Sequence, residues 1–212
     1  MPNWCNVHIT ITHEDHEMIE KIAAIEGTEK GVLQTLVPCP TELLDDELTT
    51  SYGDDAKQAI VEAKKASMRE KYGYASWYDW NIANWGSKWD LCEVSYNRVD
   101  DNTIQLSCDT AWSPPLTALE SLLAQGYSIR ALYYEPGMCF AGIWEDGNDQ
   151  CHQDWGDSAG AKATLPQELD DAFNISEGMA EWEEEERMEE ELYAFVKEGA
   201  EQRKESKLPE ED

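Results

Sequence analysis

Between Trp4 and Thr12 the apolar Cys5, Val7, Ile9 and Ile11 alternate with the polar Asn6, His8, Thr10 and Thr12. A period of two predicts a strand near residues 4–12 with one buried face. Thr12 followed by Asp15 reads as a helix N-cap with an acidic third position. Met18, Ile19, Ile22, Ala23 and Ile25 then follow at helical spacing, and Gly27 ends the run. Residues 32–44 carry Pro38 and Pro40 and read as an apolar, extended connection. The chain turns polar over about 45–76. A surface helix over 54–71, with Ile60, Val61 and Met68 on its inner side, reads as an insertion. A dense aromatic stretch, Trp77 to Trp89, comes next.

Cys92, Val94 and Tyr96 alternate, Val99-Asp100-Asp101-Asn102 turns, and Ile104, Leu106 and Cys108 alternate again. That is a hairpin signal, with strands near 91–98 and 103–111. Ser113-Pro114-Pro115 predicts a helix start with Ser113 as cap. Leu116, Leu119, Leu122 and Leu123 supply its buried stripe, and Gly126 closes it. Strands near 127–135 and 138–144 follow, joined by the tight turn Glu135-Pro136-Gly137. The order is β-α-(insertion)-β-β-α-β-β. Its first six elements give an α+β, ferredoxin-like split βαβ sheet, with an extra C-terminal strand extending one edge.

From Glu145 onward the character changes. Residues 145–212 hold 23 acidic and 6 basic side chains. Residues 146–165 are rich in Gly, Asn, Asp and Ser and read as a polar linker. Residues 166–212 read as an acidic helical extension. Thr164 to Gln167 fits a capping box for a short helix, and Ser176 the cap of a longer one. That longer helix places Met188, Leu192, Phe195 and Val196 on one side, with Met179 and Trp182 away from them and carboxylates all round. Such a helix has little core of its own to bury.

The whole chain of 212 residues is 41% hydrophobic with a formal charge of −29. That charge repels phosphate backbones and anionic lipids, which argues against direct nucleic-acid or membrane binding and favours a basic partner. The opening residues carry no signal-peptide pattern, and no apolar run is long enough to cross a membrane. Six dispersed cysteines without a C-x-x-C pair then read as reduced thiols of a cytoplasmic protein. No phosphate-binding glycine loop and no G-x-S-x-G elbow occurs. His13 with His16, and Cys151-His152 with Asp154, are the candidate metal groups. Both read better as incidental polar residues, since no full ligand set accompanies either. No cofactor is expected.

Three aromatic stretches stand out: Trp85-Gly86-Ser87-Lys88-Trp89-Asp90, Thr110-Ala111-Trp112-Ser113-Pro114-Pro115 and Tyr133-Tyr134-Glu135-Pro136-Gly137. One reading is a ligand pocket walled by Trp85, Trp89 and Trp112, with Lys88 and Glu135 as polar handles. The other is aromatic packing at strand ends, with the glycines making turns. Both stand at this point.

With Met1-Pro2-Asn3-Trp4-Cys5-Asn6 and Val37-Pro38-Cys39-Pro40, these stretches occur in an order that resembles the YubB ferredoxin-like domain family of phages and conjugative plasmids. The resemblance covers about residues 1–145. It implies a fold and a mobile-element origin, and it supplies no activity and no catalytic residue. Two function classes follow. One is a non-enzymatic interaction protein presenting DNA-phosphate-like carboxylates to a host protein with a basic or DNA-binding surface. Its candidate residues are Asp170, Asp171, Glu177, Glu181, Glu183, Glu184, Glu185, Glu186, Glu189 and Glu190. The same carboxylates also read as a solvated acidic tail that aids solubility. The other is a small-ligand binder or enzyme using the aromatic pocket.

Overall fold

The computed structural model describes residues 3–205, with side chains to residue 198. Met1 and Pro2 of the opening motif, and residues 206–212 of the acidic extension, lie outside the described residues. The chain divides after Gln153 into two compact units.

The first unit begins with β1 (Trp4–Thr12), α1 (His16–Ala23) and α2 (Val32–Leu36). Two short 3-10 turns, Thr41–Leu44 and Asp46–Thr49, lead to α3 (Asp55–Tyr72) and α4 (Trp77–Trp85). Then come β2 (Cys92–Asp100), β3 (Thr103–Ala111), α5 (Leu116–Leu123), β4 (Ser128–Glu135), β5 (Phe140–Glu145) and β6 (Asn148–Gln153). Among the described residues the sheet has six strands in the order β2-β3-β1-β4-β5-β6, each antiparallel to its neighbours. Its first four strands are the ferredoxin-like split βαβ arrangement, so the fold is α+β as the alternation predicts.

Register explains the core. Val7 faces Cys108 and Tyr133, Ile9 faces Leu106 and Ala131, and Ile11 faces Ile104 and Ile129. All nine are buried on one sheet face. Ile19 and Ile22 of α1, with Ala118, Leu119 and Leu122 of α5, close that face. Each large aliphatic side chain so buried is worth roughly 1.5–3 kcal/mol.

Five local expectations need correction. Thr12 does not cap α1; Asp15 does, its carboxylate accepting the Glu17 N–H (3.0 Å). Residues 32–44 are not extended: α2 forms there because Asp90, distant in sequence, caps it. Its carboxylate accepts the N–H groups of Leu33 (2.8 Å) and Gln34 (2.7 Å). Ser113 does not cap α5. Its hydroxyl donates to the Gly86 carbonyl (2.8 Å), and the helix starts after Pro115 without a side-chain cap. Ile60 does not face inward; it is 60% exposed, while Val61 on the same helix is buried. Finally, 146–165 is not a linker. Asp146 and Gly147, at φ 44° and 92°, turn the chain tightly into β6. The β6 side chains are polar on both faces, so alternation is silent, and backbone pairing to β5 holds the strand as an edge. The sheet is thus extended by β5 and β6, one strand more than expected.

The second unit holds α6 (Ser158–Thr164), α7 (Gln167–Phe173) and α8 (Ile175–Glu205). Trp155, Ala161, Leu165, Leu169 and Ile175 are buried. Asn174 at φ 54° makes the turn between α7 and α8. The capping roles expected of Thr164 and Ser176 fall elsewhere. The turn of α7 begins at Pro166, and α8 already begins at Ile175.

Candidate functional site

The aromatic stretches assemble around Lys88. After α4, Gly86 at φ 77° turns the chain back, and the Asn81 amide donates to the Lys88 carbonyl (3.0 Å). The Lys88 ammonium then lies 4.5 Å from the Trp89 ring centroid, 5.6 Å from Trp112 and 5.7 Å from Tyr78. Trp4 leans on Trp89 with centroids 6.0 Å apart. Trp112 has a positive φ of 67°, and its N–H donates to the Asn3 carbonyl (2.9 Å), which holds its indole at the surface, 44% exposed. Each ring facing the ammonium supplies attraction on the order of 0.5–1 kcal/mol. Among the described residues Lys88 makes no ion pair.

The ligand set expected from sequence therefore does not assemble whole. Lys88, Trp89 and Trp112 come together; Trp85 and Glu135 do not join them. Trp85 is buried, donates its indole N–H to the Val37 carbonyl (2.8 Å) and stands edge-on to Trp80. Glu135 is buried at 1% exposure, and both its oxygens are used. They accept the N–H groups of Gly137 (2.9 Å) and Met138 (2.6 Å), tying the β4–β5 turn. Trp4 and Tyr78 are the members that sequence reading missed. Trp4 sits at an exposed position in the alternation of β1, the signal that a reading of the core alone passes over.

Asp90, beside the cluster, is structural. Besides its bonds to α2 it accepts the Leu91 N–H (2.8 Å), and burial pushes its carboxyl above the ordinary value. A Cβ at Gly31 would lie 2.1 Å from its Oδ2, so only glycine fits there.

The candidate metal groups are also accounted for. A His13 ring nitrogen accepts the Asp15 N–H (2.9 Å), and the ring stands edge-on to Tyr127. Cys151 and His152 are successive residues of β6 and point to opposite faces.

In the second unit the acidic candidates divide into two groups. Asp170 and Glu183 are internal staples. The Asp170 carboxylate accepts the N–H and hydroxyl of Ser176 (both 2.6 Å), and Glu183 accepts the N–H (2.7 Å) and hydroxyl (2.6 Å) of Ser158. Both were expected to face a partner; the need to satisfy free N–H groups at helix starts claims them instead. Asp170, Asp171 and Glu177 line a groove of about 760 Å³ opposite Lys162. Glu181, Glu184, Glu185, Glu186, Glu189 and Glu190 are exposed along α8, with Glu184 paired to Arg187 (2.5 Å). On that stretch Met188, Leu192, Phe195 and Val196 are 53–75% exposed.

No family model matches the chain, and no curated protein matches it. Among solved structures the chain is similar to protein api92 from Yersinia pseudotuberculosis, of family-model DUF1281. The identity is 12% and the TM-score 0.37, over 73% of this chain and 98% of that one. A likeness of that degree carries no argument about the site. The functional reading rests on the geometry of the two clusters.

The two clusters differ in what they can do. The Lys88 cluster fixes a cation against aromatic faces and leaves its charge unneutralised. The α8 stretch carries a solvent-facing row of carboxylates with an apolar stripe beside them. Among the described residues no group of three or more His, Cys, Asp or Glu side chains is placed to hold a metal ion.

Proposed function

We propose that the chain is a non-enzymatic interaction protein whose α8 occupies a cationic, DNA-binding surface of another protein. The observation that carries this reading is the charge density of an exposed helix. Residues 183–191 hold seven glutamates and one arginine. At ~1.5 Å of rise per residue they present roughly one net negative charge per ~2 Å of axis, against ~1.7 Å for duplex DNA. The exposed stripe of Met188, Leu192, Phe195 and Val196 recurs at i, i+4, i+7 and i+8, the spacing of a helix that lies in an apolar groove. A helix that served only for solubility would have no use for that stripe. A second copy of this chain is a poor occupant, because two surfaces of a molecule with formal charge −29 repel. The resemblance to the YubB domains supports a phage or plasmid setting for this reading, with a host defence or DNA-processing protein as the target.

The test is competition. The full chain is immobilised, host lysate is passed over it, and bound proteins are eluted with excess duplex DNA. Proteins released by duplex, and not captured by a chain with Glu184, Glu185, Glu186, Glu189 and Glu190 changed to Gln, support the reading. Capture that the Gln variant retains and duplex does not displace sinks it. Glu183 is left intact because it staples the unit.

A further inference from the structure

The first unit contains a cavity unlike the rest of this acidic chain. It measures about 590 Å³, within the roughly 300–1,000 Å³ of small-molecule sites. Three cations line it: Lys65 and Arg69 from α3 and Lys88 from the loop after α4. They face a single lining carboxylate, Asp79. In a molecule with 45 acidic and 16 basic residues, that is a local reversal of sign. Lys65 pairs with Glu62 (3.0 Å), while Arg69 and Lys88 make no ion pair among the described residues.

The floor of the cavity is the start of α4. The first intrahelical bond runs from the Trp80 N–H to the Ser76 carbonyl (3.2 Å), so the N–H groups of Trp77 and Tyr78 precede it. Serine at this position ordinarily turns its hydroxyl onto the helix and caps it. Ser76 does not: it makes no side-chain capping bond, although the residue is only 5% exposed. Ser76 lines the cavity. Tyr78 and Trp77 form an aromatic wall on the same cavity. Because Lys88 is held over the Tyr78 ring by cation–π attraction, the wall and one cation are fixed together.

We propose that this cavity binds a phosphorylated small molecule bearing a flat ring, of the nucleoside monophosphate class. The phosphate sits at the start of α4, bonded by the Ser76 hydroxyl and free N–H groups and neutralised by Arg69, Lys65 and Lys88. The ring packs against Trp77 beside Tyr78, and Asp79 accepts from a ligand hydroxyl or amino group. This site belongs to the first unit and α8 to the second, and neither reading depends on the other.

Isothermal titration of the full chain with AMP, adenosine and inorganic phosphate tests it. AMP should bind saturably and at least tenfold more tightly than adenosine. Inorganic phosphate should bind more weakly and be displaced by AMP. The double variant K65Q/R69Q should weaken AMP at least tenfold, and Ser76→Ala severalfold. Neither should lower the melting temperature by more than a few degrees, since Arg69 is exposed, the surface Lys65–Glu62 pair contributes little to stability and Ser76 has no capping bond to lose. AMP binding no tighter than adenosine overturns the phosphate assignment, as does unchanged affinity in K65Q/R69Q. Inorganic phosphate binding as tightly as AMP overturns the flat ring.

Discussion

The phenol of Tyr133 lies across Gly142 on the neighbouring strand, so closely that a Cβ on the glycine would stand 2.2 Å from the hydroxyl oxygen. The hydroxyl continues past it to donate to Asp149 on β6 (2.7 Å). Burial, followed by that bond, holds the Tyr133 phenol well above its ordinary value. One side chain thus ties β4, β5 and the edge strand together. Gly142→Ala should therefore displace the ring and destabilise the chain by roughly 1–3 kcal/mol, read from urea unfolding. Tyr133→Phe in the Gly142→Ala background should cost less than in the native chain, because the bond is already lost. Additive costs would show that the contact is not what ties the strands.

The tryptophans separate into two kinds. Trp85 is 3% exposed and hydrogen-bonded, so Trp85→Ala should cost roughly 3–5 kcal/mol. Trp112 is exposed at a positive φ that glycine adopts freely. Trp112→Gly should change stability by under about 1 kcal/mol, the lost cation–π contact being offset by relieved strain. Equal melting-point losses in the two variants would contradict this division.

What the sequence makes legible is whatever alternation or helical spacing encodes. The strands of the βαββαβ core and the stripes of α1 and α5 are read directly, because each turns an apolar face to the core, buried in all but β2, where Val94 and Tyr96 are half-buried. The edge strand β6 escapes because both its faces are polar; only Asp146-Gly147 marks its turn. The staples Asp170–Ser176 and Glu183–Ser158 escape because a carboxylate's partner 6 or 25 residues away leaves no periodic trace. The cluster at Lys88 is legible only in part. Trp85, Lys88, Trp89 and Trp112 are visible as a group, but which indoles meet the ammonium depends on the Gly86 turn and the backbone twist at Trp112.

Asp90 gives a pH signature. Its carboxyl is raised by burial, so between the ordinary value of 3.8 and its folded value the native chain binds more protons than the unfolded one. Its contribution to stability is then fully present in acid and declines as pH rises through that window. Asp90→Asn removes this titration and leaves fewer acceptors for the N–H groups of Leu33, Gln34 and Leu91. The variant should be destabilised, by roughly 1–3 kcal/mol at pH 7, with the gap from the native chain widening toward pH 4. A gap that narrows on acidification would reverse the sign assigned to this group.

The thiols should sort by depth. Burial pushes Cys5 up to about 12 and Cys39 to about 11, and raises Cys108 further. Cys139 and Cys151 are exposed. A thiol reagent at pH 8 should label Cys139 and Cys151 within minutes and leave Cys5, Cys39 and Cys108 intact until denaturant is added. Mass mapping of labelled peptides checks the assignment, and early labelling of Cys5 or Cys108 would show that the sheet opens far more readily than its burial implies.

The last prediction concerns where α8 stops being held. Up to Glu183 the helix is tied to its own unit by Ile175, by the Ser176–Asp170 and Ser158–Glu183 bonds and by the Trp155 indole on Met179 (3.2 Å). From Glu184 to Glu198 each side chain is exposed. Glu177, Glu181, Glu185 and Glu189 repeat every fourth residue, and each such like-charge pair opposes the helix by roughly 0.2–0.5 kcal/mol. Hydrogen exchange should therefore show protected amides through about Glu183 and faster exchange across 186–198. Raising salt from 20 to 500 mM should slow exchange in the second stretch, since screening removes the repulsion, and leave the first almost unchanged. A cationic partner supplies the same relief at one place and covers the apolar stripe as well. It should therefore protect 186–198 at low salt, where repulsion is strongest. Uniform protection along α8 that is indifferent to salt would mean that the helix needs no partner, and the proposal for its function would lose its physical basis.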